Sequence, residues 1–301
     1  MNWLKHKYLY FFISAVFLLP GLYSLARFGL RPAIDFTGGT LLELQFQQTI
    51  PITEYPEVKA VLEEKGFAVS SIQAAGDQVL LLRLKSVSEQ GLMNIKNTLA
   101  EKYGYQPEEI RFETVGPTLG RELLTKTLVA IALAAAFILA YVAWRFKNVA
   151  FGTCAILAMF HDSLILLGSF SLLGHFFGVE VDTLFVTAVL TILSFSVHDT
   201  VVVYDLIRES QRRYPGTALT KLADKAITET LPRSLNNSLT IVFMLVALLL
   251  LGGETIRWFV AALLIGTIAG TYSSTFTAVP LLVVWEIIRR RQNRAKVNQQ
   301  Q

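Results

Sequence analysis

Asp199 is the residue of this 301-residue chain best placed to do chemistry. It sits in the run Ser194-Phe195-Ser196-Val197-His198-Asp199-Thr200, inside a stretch that is otherwise apolar enough to cross a bilayer. Counting from Leu184, the carboxylate lies roughly 22 Å along a helix that rises ~1.5 Å per residue. A charge at that depth costs about 2.5 to 3.5 kcal/mol on insertion scales and is by default a functional hypothesis. Burial favours the neutral form of a carboxyl, so a carboxyl there can load and release a proton. His198 beside it is the side chain type that titrates nearest neutral pH. Adjacent helix positions lie about 100° apart, so the two point to different faces.

Arg233 opens a later apolar run, and Arg233, Asn236, Asn237 and Thr240 follow the i, i+3, i+4, i+7 spacing of one helical face. A guanidinium there could pair with ionised Asp199 and lose the pairing on protonation, which makes a charge-controlled switch; the alternative is a static ion pair that only fixes helix packing. The third intramembrane group is His161-Asp162, about 13 residues into another span, with Thr153, Ser163, Ser169 and Ser171 as nearby hydroxyls. Asp205, Arg208 and Glu209 fall where the Asp199 run leaves the lipid and can pair at helical spacing.

Enzymatic readings find little support. Ser194 and His198 are one helical turn apart, but Asp199 faces elsewhere and nothing supplies an oxyanion hole, which argues against a hydrolase. There is no G-x-x-x-x-G-K-[ST] phosphate loop, so nucleotide hydrolysis is not expected. The single cysteine, Cys154, reads as a small apolar residue, and neither a metal nor a cofactor is called for. Work done by such a chain must draw on a gradient or a partner.

The elements that hold these residues follow from composition. The chain is 53% hydrophobic and 17% charged, with net charge +4 and mean hydropathy +0.48, a membrane composition with too little basic excess to suggest nucleic acid as a partner. Apolar runs of spanning length fall at Tyr8 to Leu25, Leu124 to Trp144, Val149 to Leu173, Leu184 to Tyr204, Leu235 to Leu251 and Trp258 to Ile288. Lys5, Lys7, Arg145, Lys147, Arg208, Arg212, Arg213, Lys221, Lys225 and Arg289, Arg290, Arg291, Arg294 and Lys296 all fall on one side, which puts both termini in the cytoplasm. Lys5, Lys7 and the small pair Ser24 and Ala26 also resemble a cleaved signal peptide; an uncleaved anchor keeps the span count even.

Between the first two spans, residues 27 to 122 carry 10 basic and 13 acidic side chains, as expected of an extracytoplasmic domain. Its pattern reads as strand Thr40 to Phe46, helix Thr53 to Lys65, strand Val69 to Ala74, turn Gly76-Asp77, strand Gln78 to Leu84, helix Ser88 to Lys102 and strand Ile110 to Val115. The expected fold class is a polytopic α-helical membrane protein of six transmembrane helices, with a ferredoxin-like α+β (βαββαβ) extracytoplasmic domain. The expected divisions are 1–26 for the N-terminus and first helix, 27–122 for the domain, 123–288 for the remaining helices with a basic loop near 205–232, and 289–301 for a basic tail.

Four stretches resemble one family. Ile34-Asp35-Phe36-Thr37-Gly38-Gly39-Thr40 resembles the I-D-F-x-G-G signature of the SecF branch of the SecD/SecF family of bacterial protein export. The run Ser196 to Glu209 resembles that family's S-x-N-D-T-x-V-V-x-D-R-x-R-E, and Leu231-Pro232-Arg233-Ser234-Leu235-Asn236-Asn237-Ser238 its L-x-R-T-x-x-T-S. Gly252-Gly253 resembles its outer turn. His198 stands where the family has Asn, which adds a second titratable group, and Leu206 where it has Arg, which implies different pairing at that end of the span.

The resemblance implies a non-enzymatic subunit of the inner membrane, related to proton-driven RND transporters. With SecD, it would use the proton-motive force to assist late steps of preprotein translocation through the SecYEG channel. It carries over Asp35, Phe36, Gly38, Gly39, Asp205, Arg208 and Glu209 as motif positions, with Asp199 and Arg233 in proton coupling and His198 and Asp162 as further candidates. Two other classes remain open from the residues alone: an RND-like exporter of small molecules or lipids, and a structural assembly factor whose charges only hold helices together.

Overall fold

The computed structural model describes residues 2–76, 78–146 and 148–298, and within these not the side chains at 254, 290, 291 and 293–298. Asp77 of the expected turn, Lys147, and the side chains of Arg290, Arg291, Arg294 and Lys296 therefore lie outside the described residues. In chain order the elements are α1 (Lys7–Phe28), a single turn α2 (Ile34–Thr37), β1 (Gly39–Gln45), α3 (Tyr55–Glu64), β2 (Val69–Ala74), β3 (Val79–Leu84), α4 (Glu89–Tyr103) and β4 (Glu108–Val115). Then come α5 (Pro117–Arg145), α6 (Val149–Phe177), α7 (Thr183–Arg213), α8 (Leu219–Leu251), α9 (Glu254–Ser273), a π-helical turn (Ser274–Ala278) and α10 (Val279–Asn298).

The chain divides into two compact units, Met1–Arg31 with Ala130–Gln301, and Pro32–Val129. The second extends past the expected 122 because α5 starts at Pro117 and its first turns cluster with the domain.

Among the described residues, six helical stretches are long and apolar enough to cross a membrane: Trp3–Phe28, Pro117–Arg145, Val149–Phe177, Thr183–Arg213, Leu219–Leu251 and Thr255–Arg289. Asn148 accepts from the Ala150 amide and Asp182 from the Phe185 amide, capping the N-terminal ends of α6 and α7. The core runs through α6, α7 and α9, with Ala158, Ala188, Ala262 and Tyr204 fully buried. The expected basic loop near 205–232 is corrected, since most of it is helix: α7 continues to Arg213 and α8 begins at Leu219 and passes through Pro232. Leu222, Ala223, Ala226 and Ile227 are buried while Lys225 and Glu229 pair on the outside, so an amphipathic stripe rather than overall polarity decides the local structure.

In the other unit, a four-stranded antiparallel sheet has the order β2-β3-β1-β4, with elements in the expected βαββαβ sequence. Alternation sends Leu42, Leu44, Leu80, Leu82 and Leu84 inward against Val58 and Leu62 of α3 and Ile95 and Leu99 of α4. Ser88 caps α4, and Gly104 ends it in a left-handed conformation at φ 78°.

Tyr103 donates from its hydroxyl to Glu54 Oε2 at 3.1 Å. Burial first, and then the Glu54 carboxylate, hold this phenol well above its usual value near 10. The folded form thus keeps a proton that the unfolded chain gives up, and stability falls as pH rises beyond about 10. The expected result is that Tyr103→Phe flattens the alkaline limb of the full chain's unfolding profile, read by near-ultraviolet circular dichroism.

Candidate functional site

Asp162 on α6 is 1% exposed and is the meeting point of three helices. Its Oδ2 accepts from Ser196 Oγ of α7 at 2.6 Å and from Ser273 Oγ of α9 at 2.5 Å, while Oδ1 lies 2.9 Å from His161 Nδ1. His161 Nε2 is buried with no hydrogen-bond partner among the described residues. Of the nearby hydroxyls, Ser163 donates to the Met159 carbonyl and Ser171 to that of Gly29, so both serve the backbone. Ser273 was missed because it lies in an apolar run with no periodic signal, directly before the π-helical turn. At the far end of that turn the fully buried Tyr204 hydroxyl donates to the Ala278 carbonyl at 2.7 Å, so α7 is tied to this irregular segment as well.

Asp199, three residues after Ser196, faces another way. It is half-buried, and its Oδ2 accepts from Ser234 Oγ of α8 at 2.7 Å. α7 is therefore held on one side by a carboxylate of α6 and on another by a hydroxyl of α8. The expected Asp199–Arg233 pair is not formed: Arg233 is exposed, and the next residue, Ser234, takes the position facing Asp199. Rotation by one residue turns a helix face by about 100°, which separates the two outcomes. Arg233, Asn236, Asn237 and Thr240 leave a polar strip on the outside of α8. His198 is also exposed, in a groove of about 290 Å³ between α5 and α7 lined by Phe137, Ile138, Tyr141 and Ser194.

Farther along α7, Asp205 joins two arginines. Arg145 at the end of α5 bonds Asp205 Oδ2, Arg208 Nη2 lies 3.5 Å from Oδ1, and Arg208 Nη1 donates to the Arg145 carbonyl at 3.3 Å. The Asp205–Arg208 pair has the expected i, i+3 spacing, and Arg145 supplies a second cation to this end of the span.

In the other unit, the Ile34–Gly39 motif forms a tight corner. Ile34 and Phe36 are buried, and Gly38 has φ 70°. A Cβ on Gly38 would stand 2.7 Å from Pro117 Cα, and one on Gly39, at φ 133°, would stand 2.8 Å from the Leu84 carbonyl oxygen. Only glycine fits both the backbone conformation and the space, which explains the pair physically. Asp35 lies in the first turn of α2 beside Phe36.

Comparison with known proteins agrees across nearly the whole chain. The family described as protein export membrane protein SecD/SecF, C-terminal, matches residues 94–287, and the SecD/SecF GG motif matches residues 23–50. Protein translocase subunit SecF of Thermobaculum terrenum is 42% identical over 94% of this chain and 93% of its own length. Protein translocase subunit SecDF of Thermus thermophilus is 35% identical over 89% of this chain, which covers 36% of that longer protein. The crystal structure of SecDF from Thermus thermophilus, described as a translocon-associated membrane protein, superposes with a TM-score of 0.80 at 32% identity, over 95% of this chain and 38% of that one. A super-membrane-facing form of SecDF gives 0.69 at 31% identity, over 98% and 40%.

Proposed function

Because the chain belongs to the SecD/SecF family of protein export membrane proteins, we propose that it acts as the SecF-type subunit that uses the proton-motive force to assist preprotein translocation. The observation that carries this reading is Asp199, a carboxylate within a membrane span, held to α8 by a single hydroxyl. A hydrogen bond to an ionised acceptor is roughly twice as strong as a neutral one. Protonation of Asp199 weakens the Ser234 clamp and lets α7 and α8 shift, and 100 mV contributes about 2.3 kcal/mol per proton to bias that shift.

SecD is the proposed partner. The Thermus SecDF relative carries the region matching this chain within one longer polypeptide, and the polar strip of Arg233, Asn236, Asn237 and Thr240 needs a polar neighbour rather than lipid. Arg233 then responds to Asp199 from the SecD interface rather than by direct pairing, with His198 on the α5 side as a further proton group. The SecYEG channel and a translocating preprotein complete the assembly. Both termini are assigned to the cytoplasm of a bacterial inner membrane, with residues 27–122 outside, from the clustering of Lys and Arg.

Cells depleted of this chain should accumulate unexported preprotein; wild type should restore export and Asp199→Asn should not, at equal membrane levels. Full restoration by Asp199→Asn contradicts the proton role. Restoration of drug or lipid efflux with no change in secretion would favour an exporter.

A further inference from the structure

Where α5 ends and α6 begins, a groove of about 590 Å³ is lined by Trp144, Arg145, Asn148, Arg208, Gln211 and Arg212. Three guanidinium groups and one carboxylate, that of Asp205, meet there. Arg145 and Arg208 both engage Asp205, while Arg212, one turn beyond Arg208, forms no ion pair among the described residues. The groove therefore has an excess of two positive charges (three arginines less one aspartate), with Arg145 and Arg208 only about 30% exposed.

Its position at the end of two apolar spans is where lipid headgroups lie. Trp144, 76% exposed, has the amphipathic ring that settles at that level, and exposed apolar Val149, at 72%, follows Asn148 at the start of α6. We propose that this groove binds the phosphate-bearing headgroup of an anionic membrane lipid. The phosphate takes guanidinium donors from Arg208 and Arg212, the Gln211 side chain reaches the glycerol, and the acyl chains lie along the apolar surfaces of α5 and α6. Arginine suits the role because its planar fork can donate two parallel hydrogen bonds to a phosphate. The ligand source is a bilayer lipid because the charged lining sits at the ends of membrane-spanning α5, α6 and α7 beside the exposed Trp144 ring. The site is independent of proton transfer at Asp199.

The test reconstitutes the full chain in vesicles with equal amounts of phosphatidylglycerol and phosphatidylcholine, extracts it in mild detergent and measures the lipid retained by mass spectrometry. The wild type should retain phosphatidylglycerol in preference. Arg212→Gln should lower that retention roughly fivefold, and Arg208→Gln combined with Arg212→Gln roughly 25-fold, from about 1 kcal/mol per surface cation. Lys225→Gln, which removes the same charge elsewhere, should leave it unchanged. Equal retention of the two lipids by wild type, or an equal loss in Lys225→Gln, overturns the proposal. So does inorganic phosphate displacing phosphatidylglycerol at comparable concentration, which would make this a free-phosphate site.

Discussion

Gly168→Leu is expected to break the packing of α1 on α6 and to lower stability by about 3 kcal/mol or more, the upper range for overpacking a close contact. A Cβ on Gly168 would stand 2.6 Å from Gly21 Cα, and one on Gly21 would stand 3.0 Å from Gly168 Cα. Both obstacles are backbone, so neither helix can yield by a rotamer change. One turn along, Ser171 donates to the Gly29 carbonyl at 2.7 Å and so accepts from Ser24 Oγ at 2.8 Å. Small residues at this spacing let membrane helices approach until hydroxyls bridge them, and a leucine forces both hydrogen bonds apart. Thermal unfolding of purified protein in detergent should show a large loss for Gly168→Leu and a small one for Ser171→Ala. A Gly168→Leu protein as stable as wild type would show that the close contact is not needed.

Asp162→Ala comes next in expected effect, at about 2 kcal/mol. It removes the acceptor shared by Ser196 and Ser273 in a site where both hydroxyls are buried. Leaving a buried donor unmatched costs about 1 to 3 kcal/mol. The loss is reduced because Ser273 can fall back on the Gly270 carbonyl, already 3.3 Å away, and because burying the carboxylate itself carries a desolvation cost. Asp162→Asn keeps an acceptor oxygen and should lose about half as much. The pair distinguishes a hydrogen-bonded joint of α6, α7 and α9 from simple filling of space, since Asn and Asp have nearly the same volume. An Asp162→Asn protein as stable as wild type would contradict the joint, because filling of space alone predicts no loss there.

The sequence was most legible where one residue's environment decides. The six spans follow from apolar runs, and the order of elements in the insert from alternation in Leu80-Leu82-Leu84 and from Ser88 and Gly104 bounding α4. Lys221 and Lys225 mark a basic segment between two spans, but its local structure is decided by the stripe of Leu222, Ala223, Ala226 and Ile227, which makes a helix. Partner choice was legible least. Asp162 and Asp199 stood out as intramembrane carboxylates, but which hydroxyl reaches each depends on the rotation of neighbouring helices. A single helix's periodicity does not contain that information: Ser234 instead of Arg233 faces Asp199, and Ser196 and Ser273 of other helices reach Asp162.

The Ser234–Asp199 clamp on α7 is the element proposed to change with protonation, and the Asp162 joint holds the other side of the same helix against α6 and α9. The most direct test is proton movement itself. Vesicles containing this chain with SecD and the export channel, loaded with a pH-sensitive dye, would be given a proton gradient during preprotein translocation. Wild type should show proton flux that accompanies translocation, and Asp199→Asn should abolish that flux while gradient-independent translocation continues. Undiminished flux through Asp199→Asn would contradict the assignment of this carboxylate as the proton carrier.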